Sequence, residues 1–206
     1  MRNQVKTGIP AVLAANKASW DAAYAADPKS RVAKYRYRDR EIKNALLNET
    51  SDKCVYCEGK VGHNTPGDIE HIAPSSIYTH LHFDWSNLTI ACTECNRRKN
   101  DYDTLAEPFL DPYAGDVEDR IRHHGPVVLA VPGDIGAELA VRTLELDGRR
   151  KGLVARKIEK IAEINELRCR LAESKSAIHR ALLERDLARR SQASEEFSGM
   201  VRSLLR

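Results

Sequence analysis

The stretch CTECNRRKND, residues 92–101, contains one of the two CxxC pairs that decide how this chain folds. The other pair is CVYC at residues 54–57, and 34 residues, 58–91, separate the two. Each pair lets two thiolates bind one ion from a tight turn, and two such turns complete the tetrahedral four-sulfur site that Zn²⁺ prefers. The spacing therefore predicts a structural zinc ion that ties the ends of the intervening segment together. Its ligands are Cys54, Cys57, Cys92 and Cys95.

The composition sets limits on the environment of the chain. It has 206 residues, of which 31% are charged and only 6% aromatic, so much of it is expected to be solvent-facing helix around a modest core. The net charge of +3 is compatible with a polyanionic partner without establishing one. No segment approaches the roughly 18 apolar residues of a membrane span. We therefore expect a cytoplasmic protein with no membrane partner, in which CxxC pairs favour a metal over disulfides.

Two helical stretches are predicted at the N-terminal end. Residues 11–26 are rich in alanine, and Asp27-Pro28 ends that run because proline disfavours helix for the residue before it. Residues 29–47 follow, in which seven Lys or Arg alternate with two tyrosines. This second stretch is either a face that contacts phosphates or a solvated helix with an Ile/Leu stripe against the core.

The C-terminal part is predicted to be mostly helical. A short strand is expected at residues 127–131, with His123-His124 in a turn before it. From Arg149 onward apolar residues recur at spacings of three, four and seven, which predicts one helix to about residue 190, roughly 60 Å long at 1.5 Å per residue. Its apolar seam should pack on its own domain or on a partner. We divide the chain into residues 1–49, 50–113 and 114–206.

The segment between the cysteine pairs resembles the zinc-stapled HNH endonucleases, which have the ββα-metal fold. It reads GDIEHIAPSSIYTHLHFDWSNLTIACTECNRRKND. The shared landmarks are Glu70-His71 at the end of a first strand, the Pro74-Ser75 turn, Asn87-Leu88 before a second strand at 88–91, and residues 95–99 opening a helix. The resemblance implies an α+β, mainly helical chain, with a small HNH core flanked by N-terminal helices and a long C-terminal helix.

The resemblance also assigns catalytic roles. His71 would be the general base, Glu70 and Asn96 would hold a catalytic Mg²⁺, with Mn²⁺ as the alternative, and Asn87 would fix the loop and orient the imidazole. These residue types suit phosphodiester hydrolysis, because a neutral histidine can take a proton from water while oxygen ligands hold a hard cation. The family usually carries aspartate where this chain has Glu70, which is one methylene longer.

Several neighbouring residues have weaker assignments. Arg97, Arg98 and Lys99 are predicted to bind nucleic acid from the first turn of a helix, where backbone N–H groups favour phosphate; exposed basic residues without that role are the alternative. Asp68 is either a supporting acid or a turn residue. Trp85 is expected to pack in the core. His63, His80 and His82 are expected to be solvent-exposed loop residues around the site.

Features beyond the motif resemble one branch of the family, the HNH subunit of Septu anti-phage systems, also found with retrons. They include CVYCE, IEHIAPSS, DWSNLTIACTECNRRKND and FLDPY, within residues 40 to 165. This resemblance implies an ABC-type ATPase partner and antiviral degradation of nucleic acid, with DNA favoured over RNA. The alternatives are an RNA nuclease that cleaves tRNA, and a non-catalytic, zinc-stapled module that only binds nucleic acid.

Overall fold

The computed structural model describes residues 1–62 and 66–206. The described residues form nine α-helices and two antiparallel sheets of two strands each, so the mainly helical α+β fold is confirmed. The elements are α1 (Ala11–Ala26), α2 (Arg31–Lys34), α3 (Arg40–Thr50), β1 (Asp68–His71), β2 (Leu88–Ala91), α4 (Thr93–Lys99), α5 (Val117–Arg120), β3 (Ile121–His124), β4 (Val127–Ala130), α6 (Ile135–Thr143), α7 (Lys151–Glu173), α8 (Ala177–Arg190) and α9 (Ser198–Leu204). Of the described helices, none combines the length and apolar character needed to cross a membrane.

The first sheet and the helix after it form a ββα unit. Strands β1 and β2 run antiparallel, with Asp68 opposite Ala91 and His71 opposite Leu88. All four residues of β2 are buried, and the chain passes through Cys92, whose side chain caps the start of α4. The two strands predicted from the resemblance are therefore present. Because β1 pairs with β2 and α4 follows β2, β1, which carries Glu70 and His71, lies beside the helix that carries Asn96.

The N-terminal stretch has one predicted boundary and one unexpected break. Helix α1 ends at Ala26, immediately before Asp27-Pro28, as predicted. The second stretch is divided into α2, a 3₁₀ turn at Tyr35–Arg38, and α3. The Asp39 side chain accepts a hydrogen bond from the Glu41 backbone N–H and so begins α3. Ile42 and Leu46 of α3 are fully buried, which confirms the stripe against the core.

Two predictions about the C-terminal region are wrong. His123 and His124 lie in strand β3, which pairs with β4, rather than in a turn. The single long helix is two helices, because the chain breaks between Glu173 and Ala177 and the Ser176 side chain caps α8 by accepting from the His179 N–H. Helix α8 then folds back along α7. Their shared cluster contains Ile164, Leu167, Leu183 and Leu187, with Phe197, Met200 and Val201.

A single hydrophobic cluster joins the N-terminal helices to the ββα unit. It includes Leu13 of α1, Ile42 of α3, Trp85, Ile90 of β2 and Val141 of α6. Trp85 is buried, as predicted, and its indole N–H donates to the Thr7 carbonyl at 2.8 Å. The N-terminal helices are thus packed directly against the strands that carry the candidate site.

Candidate active site and zinc site

An open cleft of about 640 Å³ lies over the ββα unit. Strand β1 and helix α4 form one part of its wall, and the N-terminal segment, residues 31–43, forms another. The predicted site residues on the cleft are Glu70, His71, Asn96 and Arg97, and they are joined by Tyr37, Arg38, Lys43 and Asp68. The fold therefore brings together residues that the sequence places in three separate segments.

The His71 imidazole is held in one tautomer. Its Nε2 lies 2.9 Å from the His82 carbonyl oxygen. Because a carbonyl oxygen can only accept, Nε2 must carry the proton, and Nδ1 keeps the lone pair. Burial lowers the pKa of His71 to about 4, so the ring is neutral at neutral pH. A neutral imidazole with a free Nδ1 is the form that a general base requires.

His82 contradicts the expectation that it is an exposed loop residue. It is 1% exposed, and its ring stacks between those of His71, 4.9 Å away, and Tyr24, 4.3 Å away. Its Nε2 donates to the Lys34 carbonyl oxygen at 2.7 Å. His80 is exposed as expected, and His63 lies outside the described residues. No local signal marks His82, because its partners lie in α1 and α2.

Asn87 fastens the loop that follows β1. Its Oδ1 accepts from the Ala73 N–H at 2.7 Å, and its Nδ2 donates to the carbonyl oxygens of Ala73 at 3.0 Å and Leu81 at 3.2 Å. In the described part of the chain Asn87 makes no hydrogen bond to the His71 ring. It holds the chain at Ala73, two residues after His71, and at Leu81, one residue before His82, so its effect on the imidazole is indirect.

Glu70 is buried together with a lysine. The Lys99 ammonium lies 2.9 Å from Glu70 Oε1 and also donates to the His71 carbonyl oxygen at 2.9 Å. Burial raises the pKa of Glu70 to about 7, and the charge of Lys99 opposes that rise. The carboxyl group therefore exchanges its proton near neutral pH, and a cation bound in the cleft would favour its ionised form.

Asn96 is oriented by Asp68. The Asn96 Nδ2 donates to Asp68 Oδ2 at 3.3 Å, which identifies the other amide atom, Oδ1, as the free acceptor. Asp68 therefore sits at the cleft as a supporting acid rather than as a simple turn residue. Carboxylate and amide oxygens are the ligands that Mg²⁺ prefers, so the donor set of Glu70 and Asn96 fits a hard divalent ion.

The basic run after Asn96 lies in the last turn of α4 instead of its first. The argument from free backbone N–H groups at a helix start therefore fails for these residues. Arg97 is exposed at the cleft and pairs with Glu94 at 3.1 Å, and Arg98 pairs with Glu145 at 2.7 Å and with Glu94 at 3.5 Å. Lys99 is 2% exposed and forms a salt bridge with Glu70.

The four predicted zinc ligands converge. The Sγ atoms of Cys54, Cys57, Cys92 and Cys95 all lie within 4.8 Å of one another. This is the only group of metal-ligating side chains of its kind found within residues 1–62 and 66–206. Four convergent sulfurs, on two loops that the ββα unit holds together, are consistent with a structural Zn²⁺.

Two cations from the C-terminal region face this sulfur cluster. Arg150 Nη1 lies 3.0 Å from Cys95 Sγ, and Lys157 of α7 is 2% exposed near Cys57 and Glu58. Within the described residues the Lys157 ammonium makes neither a salt bridge nor a hydrogen bond. An ion held by four thiolates carries net negative charge, which would offset the cost of burying this lysine. The buried cations thus fit a zinc–thiolate centre.

Comparison with protein families identifies the ββα unit. Residues 54–102 match the family model described as HNH endonuclease. These residues, with both cysteine pairs, the strands and α4, therefore form an HNH endonuclease domain. The HNH endonuclease family implies a phosphodiester hydrolase.

The chain is also distantly similar to two curated relatives. The Septu protein PtuB of Bacillus thuringiensis is 38% identical over 72 residues, covering 34% of this chain and 28% of that protein. The Septu protein PtuB of Bacillus mycoides (strain KBAB4) is 32% identical over 74 residues, covering 30% of this chain and 25% of that protein. The matched part thus spans little more than a quarter of either relative.

Proposed function

We propose that this protein is a metal-dependent HNH endonuclease that hydrolyses phosphodiester bonds of nucleic acid, with DNA as its preferred substrate. The observation that carries the proposal is the His71 ring, which is neutral, fixed in the Nδ1-basic tautomer by the His82 carbonyl at 2.9 Å, and adjacent to Glu70 and Asn96 on an open cleft. A module that only binds nucleic acid has no need of this combination.

In the proposed mechanism, His71 Nδ1 accepts a proton from a water molecule as that water attacks the phosphorus atom. The bond between phosphorus and the leaving oxygen breaks on the opposite side, and the leaving oxygen takes a proton from solvent. Glu70 and Asn96 would hold the divalent ion, which supplies positive charge to the phosphate during the reaction. Asp68 keeps the Asn96 amide turned so that Oδ1 is available to the ion.

We further propose that the protein is the nuclease component of an anti-phage defence system and that it works with an ABC-type ATPase. The similarity to the two Septu proteins, together with the FLDPY motif at residues 109–113 outside the HNH domain, supports this role. The catalytic cleft is open, so an unrestrained enzyme would attack host nucleic acid. We therefore expect the isolated chain to be weakly active, and robust plasmid cleavage by the chain alone would argue against this restraint.

The experiment compares substrates and partner conditions. Purified protein is incubated with supercoiled plasmid or with total tRNA, in Mg²⁺ or excess EDTA, with and without the ABC-type ATPase proposed as its partner. Mg²⁺-dependent plasmid cleavage supports the proposal. Cleavage of tRNA but not of plasmid would assign an RNA nuclease instead. Binding without cleavage in every condition would leave only the zinc-stapled binding module.

A further inference from the structure

The N-terminal segment next to the cleft carries cations that no acid neutralises. In the part of the chain that the structure describes, no salt bridge is formed by the basic side chains of this segment, which are Arg31, Lys34, Arg36, Arg38, Arg40 and Lys43. The two acids of the same segment accept hydrogen bonds from backbone N–H groups. Asp39 accepts from the Glu41 N–H at 2.7 Å, and Glu41 accepts from the Val12 N–H at 3.1 Å. The segment therefore presents net positive charge.

Two of these cations lie on the cleft itself. Arg38 and Lys43 share the cleft wall with His71 and Asn96. The Arg38 guanidinium lies over the Tyr35 ring, 4.2 Å from its centroid, which limits the positions that this long side chain adopts. Among the described residues Lys43 donates only to the Gly67 carbonyl oxygen, at 2.8 Å, and no carboxylate there pairs with it. Both cations thus face the space that a substrate strand would occupy.

The segment is also fixed relative to the catalytic base. Tyr37 is buried with its ring edge-on to His71, 4.8 Å away, and to His82, 5.0 Å away. The Lys34 carbonyl accepts the His82 Nε2–H, and the His82 carbonyl accepts the His71 Nε2–H. A strand held by Arg38 and Lys43 would therefore lie at a set distance from the base.

The basic residues of α4 are less available for phosphate. Lys99 forms a salt bridge with Glu70, and Arg98 forms salt bridges with Glu145 and Glu94. Arg97 alone of the three is both exposed and on the cleft. Of the cations on the cleft, those without an acidic partner among the described residues are Arg38 and Lys43 of the N-terminal segment, which lies outside residues 54–102 of the HNH domain. Asp68, Glu70 and Asp101 line the same cleft.

We propose that residues 35–43 form the wall of the cleft that binds the sugar-phosphate backbone of the nucleic-acid substrate, through Arg38 and Lys43. This inference rests on the proposed function, since it names the surface that the nuclease uses to hold its substrate. Contacts to phosphate carry no base information, so binding through this wall is independent of sequence. It is also salt-dependent, because cations that bind phosphates displace condensed counterions.

The test measures binding separately from cleavage. The His71→Ala protein is titrated into a fluorescent DNA oligonucleotide, single-stranded or duplex, in EDTA and at several salt concentrations. In that background Arg38→Gln/Lys43→Gln is compared with Arg170→Gln/Lys175→Gln. The control pair removes the same one Arg and one Lys from exposed positions, Arg170 in the last turn of α7 and Lys175 between α7 and α8. Circular dichroism and zinc content verify that all variants are folded.

We expect the Arg38/Lys43 pair to weaken binding about tenfold or more and to reduce the slope of log affinity against log salt by roughly two, with little change in the control. Equal affinity of the two double variants, or no binding by the parent protein at low salt, would overturn the inference. Failure of the proposed function appears differently, as absence of Mg²⁺-dependent cleavage by the unmodified protein, whatever these affinities are.

Discussion

Lys99 Nζ lies 2.9 Å from Glu70 Oε1, and the two side chains are 1% and 7% exposed. A buried carboxylate without a countercharge is strongly destabilising, so Lys99 allows an ionisable group to stand at the floor of the cleft. The same lysine donates to the His71 carbonyl oxygen and thereby connects α4 to the end of β1. Its role is to support the site, in contrast to the phosphate contact predicted from the sequence.

Replacing Lys99 by methionine should destabilise the protein by an amount that depends on pH. Loss of the Lys99 charge raises the pKa of Glu70 further, so at a pH above about 7, where the parent carboxylate is ionised, the variant must either bury an unpaired carboxylate or take up a proton, which we expect to cost about 3 kcal/mol. At about pH 5 Glu70 is protonated and the loss should be clearly smaller. Urea unfolding at both pH values measures the difference. The Glu70→Gln/Lys99→Met variant is the control, and an equal loss at both pH values would contradict the assignment.

Mg²⁺ affinity should fall as the pH is lowered through neutrality. Glu70 has a folded-state pKa of about 7, above the ordinary 4.5, so its ionised form, which is proposed to hold the ion, is lost below that pH. We expect the Mg²⁺ concentration for half-maximal cleavage to rise about tenfold for each pH unit below 7. His71, with a pKa of about 4, stays neutral over this range.

The measurement is a Mg²⁺ titration of the cleavage rate at pH values from about 5.5 to about 8.5. Saturating Mg²⁺ should move the profile to lower pH, because the ion competes with the proton for Glu70. A Mg²⁺ requirement that does not change across this range would show that Glu70 is not a ligand.

His82→Phe should separate positioning of the base from substrate binding. Phenylalanine preserves the stacked ring but loses the Nε2 donor to the Lys34 carbonyl, so we expect about 1–3 kcal/mol lower stability. The loop shift should also displace the His82 carbonyl from His71, lowering the cleavage rate while DNA affinity is kept. His80→Phe, at an exposed position of the same loop, is the control. A variant with full activity would leave His82 as a packing residue only.

The Lys157→Met variant should release zinc faster than the parent protein. The ammonium is buried beside the sulfur cluster, and losing its charge leaves the thiolates less well compensated. We expect zinc to pass to a colorimetric chelator about tenfold faster than from the parent protein. Lys151→Met removes a lysine from the exposed start of the same helix and should have no effect. Equal release from both variants would mean that Lys157 does not act on the zinc site.

Local patterns predicted the parts of the fold that local chemistry determines. The CxxC pairs and the end of α1 at Asp27-Pro28 follow from residues close in sequence, whereas the two strands of the HNH domain were predicted from the resemblance to a family. The break between α7 and α8 was not predictable from apolar spacing. Residues 174–176 contain neither proline nor glycine, and the chain turns there because α8 buries Leu183 and Leu187 against α7.

The sequence motif names residues of the candidate site, but it does not show which other residues hold them in place. His71 and Asn96 stand in a recognisable motif, whereas the partners of His82 and of Lys99 come from contacts across the fold. His82 bonds to Lys34, 48 residues earlier, and Lys99 pairs with Glu70 across the ββα unit. Pairings of this kind depend on how the elements pack, and a single sequence does not record them.

The most direct test of the central claim, that His71 acts as the base of a metal-dependent nuclease, is a cleavage assay with matched histidine variants. Parent protein, His71→Ala and His80→Ala are compared on the preferred substrate in Mg²⁺ or EDTA, with the proposed ATPase partner present and zinc content measured. We predict Mg²⁺-dependent cleavage that His80→Ala retains and that His71→Ala loses by about a hundredfold or more, with zinc and fold intact. Cleavage by His71→Ala at the parent rate would contradict the claim.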